Sequence, residues 1–200
     1  MVTVPADREA ARAGGGVSPL EFPNRDIVPG LDAQGPDAQG DDELARALAV
    51  AATVPDPEIP VLTLEDLGIL RGVERRGRLI VVKLTPTYTG CPATLAIRLD
   101  VEAALLSAGI ADSRVEIILS PPWSTDDITP EGRRKLLAYG IAPPPARTTR
   151  GALLFGTDPV ACPRCSATTT TRISEFGSTP CKSLWRCESC REPFDVFKCL

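Results

Sequence analysis

Four of the seven cysteines form two CxxC pairs near the C-terminus, Cys162 with Cys165 and Cys187 with Cys190. A CxxC turn directs two sulfurs at one point, and two facing turns give tetrahedral sulfur ligation, which suits Zn²⁺. The 21 residues between the pairs slightly exceed the usual zinc-ribbon spacing. Because a segment of about 40 residues builds little core, a bound metal would stabilise it. The pairs therefore predict a metal site, with zinc favoured over an iron–sulfur cluster.

A further cysteine, Cys91, follows the segment Thr85–Gly90 at a predicted junction between a strand and a helix. Pro92 suits the first helical position, so the sequence places Cys91 at the helix N-cap. Unpaired backbone N–H groups and the helix dipole favour an anion there, and we expect them to stabilise the thiolate form. The hydroxyls of Thr85 and Thr87 can hydrogen-bond a thiolate or a ligand. The pattern predicts a reactive or metal-binding thiol; the alternative is a small buried cysteine.

Two carboxylates lie in the proline-rich segment Val54–Pro60. Its three prolines predict a rigid extended loop that cannot form a central strand. Asp56 and Glu58 are held on this loop. They are either turn-forming, solvated groups, or carboxylates presented to a metal or a partner from a rigid frame.

The remaining cysteines, Cys181 and Cys199, are interpreted as a possible second sulfur site with Cys91 or as alternative ligands. The chain contains no histidine. This excludes histidine-dependent triads, HExxH zinc sites and the iron site of two histidines and one carboxylate. Any metal must be bound through sulfur or oxygen. Seven cysteines in a reducing compartment favour metal binding or catalysis over disulfides.

Periodicity and turn residues predict the order α-β-β-α-β-α over residues 41–142. The predicted elements are a helix from Asp41 or Asp42 to Val54, strands Gly68–Glu74 and Leu79–Leu84, a helix Ala93–Ala108, a strand Ser113–Leu119 and a helix Gly132–Tyr139. This order predicts an α+β fold, a small mixed sheet of a hairpin plus a third strand covered by helices. In the helix after Cys91, one apolar stripe comprises Leu95, Leu99, Ala103 and Leu106, and it is widened by Ile97, Val101 and Leu105.

Composition divides the chain into four parts. Residues 1–40 lack periodicity and are predicted to form a flexible arm. The α+β domain spans 41–142, a proline-rich linker 143–161, and the zinc ribbon 162–200. Between its two CxxC pairs the ribbon is predicted to form strands joined by a turn.

Charge and hydropathy exclude several functions. The net charge is −4, and the ribbon with bound zinc is close to neutral, so neither part predicts binding to nucleic acid. The sequence has no apolar run long enough for a transmembrane helix, and its N-terminus does not resemble a signal peptide. We therefore expect a cytoplasmic protein without membrane contacts.

Four segments together resemble the metal–sulfur cluster assembly family: Val54–Pro60, Asp66–Ile69, Leu84–Pro92 and Pro121–Trp123. With the C-terminal ribbon included, residues 41–200 resemble the PaaD family, whose members belong to bacterial phenylacetyl-CoA epoxidase systems. The resemblance implies a small α+β domain whose functional thiol is Cys91, and a role in phenylacetate catabolism.

The resemblance further implies a maturation factor, not the oxygenase itself. In this hypothesis Cys91 binds iron or an iron–sulfur cluster transiently, with Asp56 and Glu58 nearby. The ribbon docks the client, which the resemblance identifies as the iron–sulfur reductase component. Without histidine, the chain cannot form the carboxylate–histidine di-iron site of such oxygenases. The alternatives are a stable structural component of the complex and, ranked last, a thiol enzyme with Cys91 as nucleophile but no histidine base.

Overall fold

The structure is a computed structural model that describes residues 38–144 and 160–198. Nearly all of the predicted arm and most of the predicted linker lie outside the described residues. Cys199 lies outside them as well. Among the residues it describes, no helix is long and apolar enough to cross a membrane.

The helices are α1 (Ala38–Ala52), α2 (Leu64–Leu67), α3 (Thr94–Ser107) and α4 (Pro130–Tyr139), with a 3₁₀ turn at Thr125–Asp127. The strands are β1 (Leu70–Arg76), β2 (Leu79–Leu84), β3 (Ser113–Ile117), β4 (Ile141–Ala142), β5 (Thr170–Ser174), β6 (Lys182–Cys187) and β7 (Pro193–Phe197). The predicted order of elements is confirmed. The single turn α2 coincides with the short turn or helical piece predicted at Thr63–Leu67, and the two-residue strand β4 after α4 was not predicted.

The first sheet has the order β1-β2-β3 and is mixed, as predicted. β1 and β2 form an antiparallel hairpin, and Gly77 permits its turn with a φ of 64°. β3 lies parallel to β2, so the connection must cross over, and α3 provides that crossover. The central strand β2 is the most buried, with Ile80, Val82 and Leu84 in the core beneath the helices.

Helix α3 divides its apolar residues between two faces. Ile97, Val101 and Leu105 are buried against the sheet. The other stripe points outward: Leu95, Leu99 and Leu106 are 64%, 55% and 63% exposed. The single widened stripe predicted from the sequence is therefore divided between two faces, because only one row of side chains can reach the sheet.

The second sheet has the order β4-β7-β6-β5. Its edge strand β4 directly follows α4 and pairs parallel with β7 of the ribbon. Phe197 at the end of β7 is buried, with its ring centroid 6.0 Å from that of Trp123. The Trp123 indole N–H donates to the Leu67 carbonyl at 2.8 Å. The ribbon is thus packed against the α+β part through shared strands and aromatic rings.

Candidate functional site

The loop between β2 and α3 places Cys91 ahead of the helix. The N-cap of α3 is Ala93, which has no side-chain acceptor. The backbone N–H of Cys91 donates to the Tyr88 carbonyl, and the Cys91 carbonyl accepts from Thr94, both at 3.2 Å. The predicted N-cap position of Cys91 is therefore wrong, because the chain closes a turn on each side of this residue before the helix begins.

A small cavity of about 20 Å³ lies beside Cys91. Polar side chains from the proline-rich loop, the β2–α3 loop and the start of α3 line it, namely Asp56, Thr85, Thr87, Cys91 and Thr94. Apolar residues of β2, α3 and β3 complete the wall. Such a volume holds about one water molecule or a similarly small ligand. The structure thus brings four of the five predicted functional residues around one space.

Thr85 is the unusual member of this lining. It is 1% exposed, and its Oγ1 has no hydrogen-bond partner among the described residues. Leaving a buried hydroxyl unpaired costs about 1–3 kcal/mol. Native proteins rarely leave such a group unpaired, so this hydroxyl is available to bind a water molecule or a small ligand in the cavity.

Asp56 combines the two interpretations offered by the sequence. Its Oδ1 accepts from the backbone N–H of Glu58 at 2.9 Å and of Ile59 at 2.7 Å, so it does form the turn. It is also buried and lines the cavity. Burial raises the pKa of the Asp56 carboxyl, against the two N–H bonds and the charge of Lys182.

Glu58 lies on the other side of the loop, towards the ribbon. Its Oε2 accepts from the Cys181 sulfur at 3.6 Å. Tyr88 is a neighbour of Cys91, Glu58 and Cys181. Burial, followed by the charges of these three groups, raises the pKa of the Tyr88 phenol to about 12. Sequence reasoning gave Tyr88 no role, although it lies three positions before the candidate thiol.

The ribbon sulfurs of Cys162, Cys165, Cys187 and Cys190 all lie within 4.8 Å of one another. The distance from Cys162 to Cys190 is 3.7 Å, and from Cys165 to Cys187 it is 3.5 Å. Four sulfurs at about 2.3 Å from one tetrahedral ion would lie about 3.8 Å apart. The four residues therefore form a metal-binding group, and their spacing fits an ion of this size.

Hydrogen bonding within the group favours ionisation of the Cys187 thiol, whereas at Cys190 a backbone hydrogen bond from Glu192 is outweighed by burial and the neighbouring sulfurs, which raise the pKa of that thiol to about 12. The N–H of Cys190 donates to the Cys187 sulfur at 3.5 Å. This bond, with smaller contributions from neighbouring donors, lowers the pKa of the Cys187 thiol to about 6. The thiolate is the form that binds a metal ion.

Comparison with known protein families matches two separate parts of the chain. Residues 44–117 match a family described as iron–sulfur cluster assembly protein. Residues 146–198 match the PaaD zinc beta ribbon domain.

One curated relative covers most of the chain. It is a putative component of the 1,2-phenylacetyl-CoA epoxidase of Escherichia coli strain K12, and it is 48% identical over 152 residues. The match spans 76% of this chain and 90% of the relative. The chain belongs to the PaaD family.

Solved structures with similar sequences cover about half of the chain. A domain of unknown function from Bacillus anthracis is 24% identical, with a TM-score of 0.44, over 48% of this chain and 92% of its own. A protein of Mycobacterium tuberculosis, described as associated with [Fe-S] complex assembly and repair, is 30% identical with a TM-score of 0.29. It covers 55% of this chain and 93% of its own.

Proposed function

We propose that this chain is an accessory component of a phenylacetyl-CoA epoxidase system, acting in phenylacetate catabolism. In that system it assists the assembly of an iron–sulfur or iron centre in an oxygenase component. Membership of the PaaD family and the match of residues 44–117 to an iron–sulfur cluster assembly family support the proposal. The observation that carries it is the thiol-lined cavity, in which the buried hydroxyl of Thr85 lacks a partner among the described residues.

Cys91 is the residue we propose to bind iron or an iron–sulfur cluster as cargo. Its side chain is half-buried and borders the cavity. Thiolate sulfur is a preferred ligand for iron–sulfur clusters. Thr85 and Thr87 can donate hydrogen bonds to this sulfur or to the cargo, and Asp56 places a carboxyl group on the same wall.

The ribbon has a different task in this proposal. Its four sulfurs would hold zinc, which supplies structural cross-linking and no reaction chemistry. The folded ribbon then presents a surface for the client, for which we propose the iron–sulfur reductase component. The small core formed by Trp185 and Phe194 stabilises the conformation of that surface.

The test is the variant Cys91→Ser, co-expressed with the reductase component. We expect the iron content of the purified reductase to fall, because the cargo has lost its sulfur ligand. Thermal unfolding of the variant should match that of the wild type, since the Cys91 side chain is only half-buried and serine is similar in size.

The matched control is Thr89→Ala, an exposed change in the same loop, which should leave the client's iron unchanged. Equal client iron with the wild type and with Cys91→Ser would refute the proposal.

A second candidate function is a stable structural component of the oxygenase complex. The exposed leucine stripe of α3, formed by Leu95, Leu99 and Leu106, favours it because a permanent partner would cover this apolar surface. Co-purification with the oxygenase in a fixed stoichiometry, lost in Leu99→Glu, would support this function. Full oxygenase activity in vitro without the purified chain would oppose it.

A further inference from the structure

Two buried residues of the ribbon pack in the core of the α+β part. Among the ribbon residues that the structure describes, Cys181 and Phe197 are 5% and 2% exposed and belong to the larger buried cluster. That cluster also contains Ile59 of the proline-rich loop and Leu84 of the cavity wall. Cys181 is separate from the four sulfurs of the ribbon's metal group. Its thiol therefore lies at the contact between the ribbon and the α+β part.

The ribbon sheet fixes the position of Cys181. The backbone N–H of Lys198 donates to the Cys181 carbonyl at 3.0 Å, directly after the end of β7. Cys181 also directly precedes β6, which ends at Cys187. Because Cys187 belongs to the metal group, a single strand connects that group with Cys181. The folded ribbon thus determines where the Cys181 side chain enters the α+β part.

The Cys181 sulfur contacts the proline-rich loop. Its thiol donates to Glu58 Oε2 at 3.6 Å, and the Thr179 hydroxyl lies 3.0 Å from the same sulfur. The backbone N–H of Glu58 donates in turn to Asp56 Oδ1 at 2.9 Å. Asp56 lines the cavity beside Cys91. Glu58 therefore contacts the ribbon through its side chain and the cavity wall through its backbone.

The other hydrogen bonds of this loop are internal. The N–H of Asp56 donates to the Leu62 carbonyl, and the N–H of Leu62 to the Ile59 carbonyl, both at 2.9 Å. Within the part of the chain that the structure describes, the hydrogen bond that joins residues 55–62 to another segment is the one from Cys181 to Glu58. Because prolines restrict the loop's own conformations, one directional contact can set its position relative to the cavity.

We propose that Cys181 and Glu58 are positioning residues: through their hydrogen bond the folded ribbon holds the proline-rich loop, and with it Asp56, against the cavity. Packing alone would need only an apolar side chain at position 181, whereas positioning requires a donor there and an acceptor at position 58. The inference rests on the proposed function for the cargo at Cys91, but the position of the loop is measurable without cargo.

The test compares paired variants of the zinc-loaded full chain. Cys181→Ala removes the donor and Cys181→Ser keeps one, while Glu58→Ala removes the acceptor and Glu58→Gln keeps an oxygen. The first measurement is the rate at which iodoacetamide alkylates Cys91, followed by mass spectrometry. The second, for the variants at position 181, is the amide chemical shift of Ile59, whose N–H donates to Asp56 at 2.7 Å.

We expect Cys181→Ala and Glu58→Ala each to raise the alkylation rate roughly two- to tenfold, the range set by the loss of one hydrogen bond. Cys181→Ala should also shift the Ile59 amide signal. The double variant should alkylate no faster than either single variant, because both remove the same bond. Cys181→Ser and Glu58→Gln should stay close to the wild type. On co-expression with the reductase component, Cys181→Ala should lower client iron while the chain keeps its full zinc.

Two control variants separate positioning from general destabilisation. Ser183→Ala removes another buried hydroxyl from β6, one that accepts from the Trp185 indole N–H at 2.9 Å, and should leave Cys91 alkylation unchanged. Glu65→Ala removes an exposed carboxylate from α2 and should do the same. If Cys181→Ala loses zinc, the comparison of Glu58→Ala with Glu58→Gln decides alone.

The inference is overturned by unchanged alkylation in zinc-loaded Cys181→Ala and Glu58→Ala, by additive effects in the double variant, or by Cys181→Ser behaving like Cys181→Ala. Equal changes in Ser183→Ala, or client iron that depends on Cys91 but not on Cys181, would also overturn it. In each case a fall in client iron with Cys91→Ser leaves the proposed function standing. If alkylation depends on both positioning residues while client iron ignores Cys91, the proposed function fails and the positioning stands.

Discussion

The ribbon's metal group and the Cys91 cavity use the same element, sulfur, in opposite ways. In the ribbon, four sulfurs converge and two of them, Cys162 and Cys187, are buried to 1% and 0% exposure. In the cavity, a single half-buried sulfur borders a space with a carboxyl group and a hydroxyl that is unpaired among the described residues. A complete ligand set retains its ion, whereas an incomplete one leaves positions for exchange. The comparison separates a region suited to retaining an ion from one that has the open positions required by the proposed transfer.

Two buried aspartates show the same contrast. Asp66 caps α2 through Thr63 and pairs with the Lys135 ammonium at 2.6 Å. Burial alone would raise its pKa, but Lys135 and the Thr63 donors outweigh burial and lower it. At Asp56 the balance is reversed and burial prevails. The carboxylate outside the cavity is stabilised as an anion, and the one on the cavity wall is not.

The largest effect should follow from removing a ribbon ligand. Cys187→Ser leaves three sulfurs at a site whose metal contributes roughly 10 kcal/mol to folding. We expect zinc content to fall well below one per chain and the near-ultraviolet circular dichroism of buried Trp185 to collapse. Cys91→Ser is the control and should keep its full zinc. Full zinc and an unchanged spectrum in Cys187→Ser would end the distinction between a structural and a functional sulfur.

The next effect tests whether the two regions depend on each other. Phe197→Ala removes the buried ring that packs on Trp123, and should destabilise the chain by about 3–5 kcal/mol in urea unfolding. Zinc content should stay intact, because no ligand is touched. The control is Phe176→Ala, 66% exposed and stacked with Lys198, which should cost less than about 1 kcal/mol. A loss of zinc in Phe197→Ala would show that the metal group needs the docked ribbon.

The ribbon's metal group could be predicted from local sequence patterns. Contacts between residues far apart in the chain could not. A CxxC pair fixes its sulfurs within one turn, so the spacing alone indicated the metal group. Cys181 and Glu58 are 123 positions apart, and only the docking of the ribbon brings them together.

Helix α3 offered no local criterion for choosing its buried face. Its leucine stripe and its Ile97–Leu105 stripe are both apolar, so periodicity could not decide between them. The N-cap was misplaced for a related reason. Pro92 suits a helix start, but the turns around Cys91 delay the helix to Thr94.

The two aspartates predict opposite pH dependences. Asp66 has a lowered pKa, so its contribution is present above the ordinary value of 3.8 and is lost as the pH falls through the lower folded value. Asp66→Asn should therefore cost about 2 kcal/mol at neutral pH and progressively less in acid.

Asp56 has a raised pKa, so the wild type loses stability as the pH rises from 3.8 through the higher folded value. Asp56→Asn keeps an acceptor oxygen for the turn, and its stability advantage should grow over that window. Urea unfolding from about pH 2 to about pH 7.5 measures both variants across the range in which the two carboxyls titrate, including the lowered pKa of Asp66. Parallel profiles would contradict the separation of structural from functional carboxylates.

Thr85→Val should have the smallest effect on stability, yet it tests the contrast between the two regions most sharply, because stability and function should change in opposite directions. Thr85→Val replaces the buried, unpaired hydroxyl by a methyl group of similar size. We expect a gain of about 1 kcal/mol in the free energy of unfolding, since no hydrogen bond within the described residues is lost and a desolvated polar atom is removed. Client iron should nevertheless fall, since the cavity loses its hydroxyl. The matched control is Thr125→Val in the 3₁₀ turn, also buried but not among the residues that line the cavity, which should leave client iron unchanged. Unchanged client iron in Thr85→Val would mean that the hydroxyl does not serve the cargo, and destabilisation would mean that it has a structural partner.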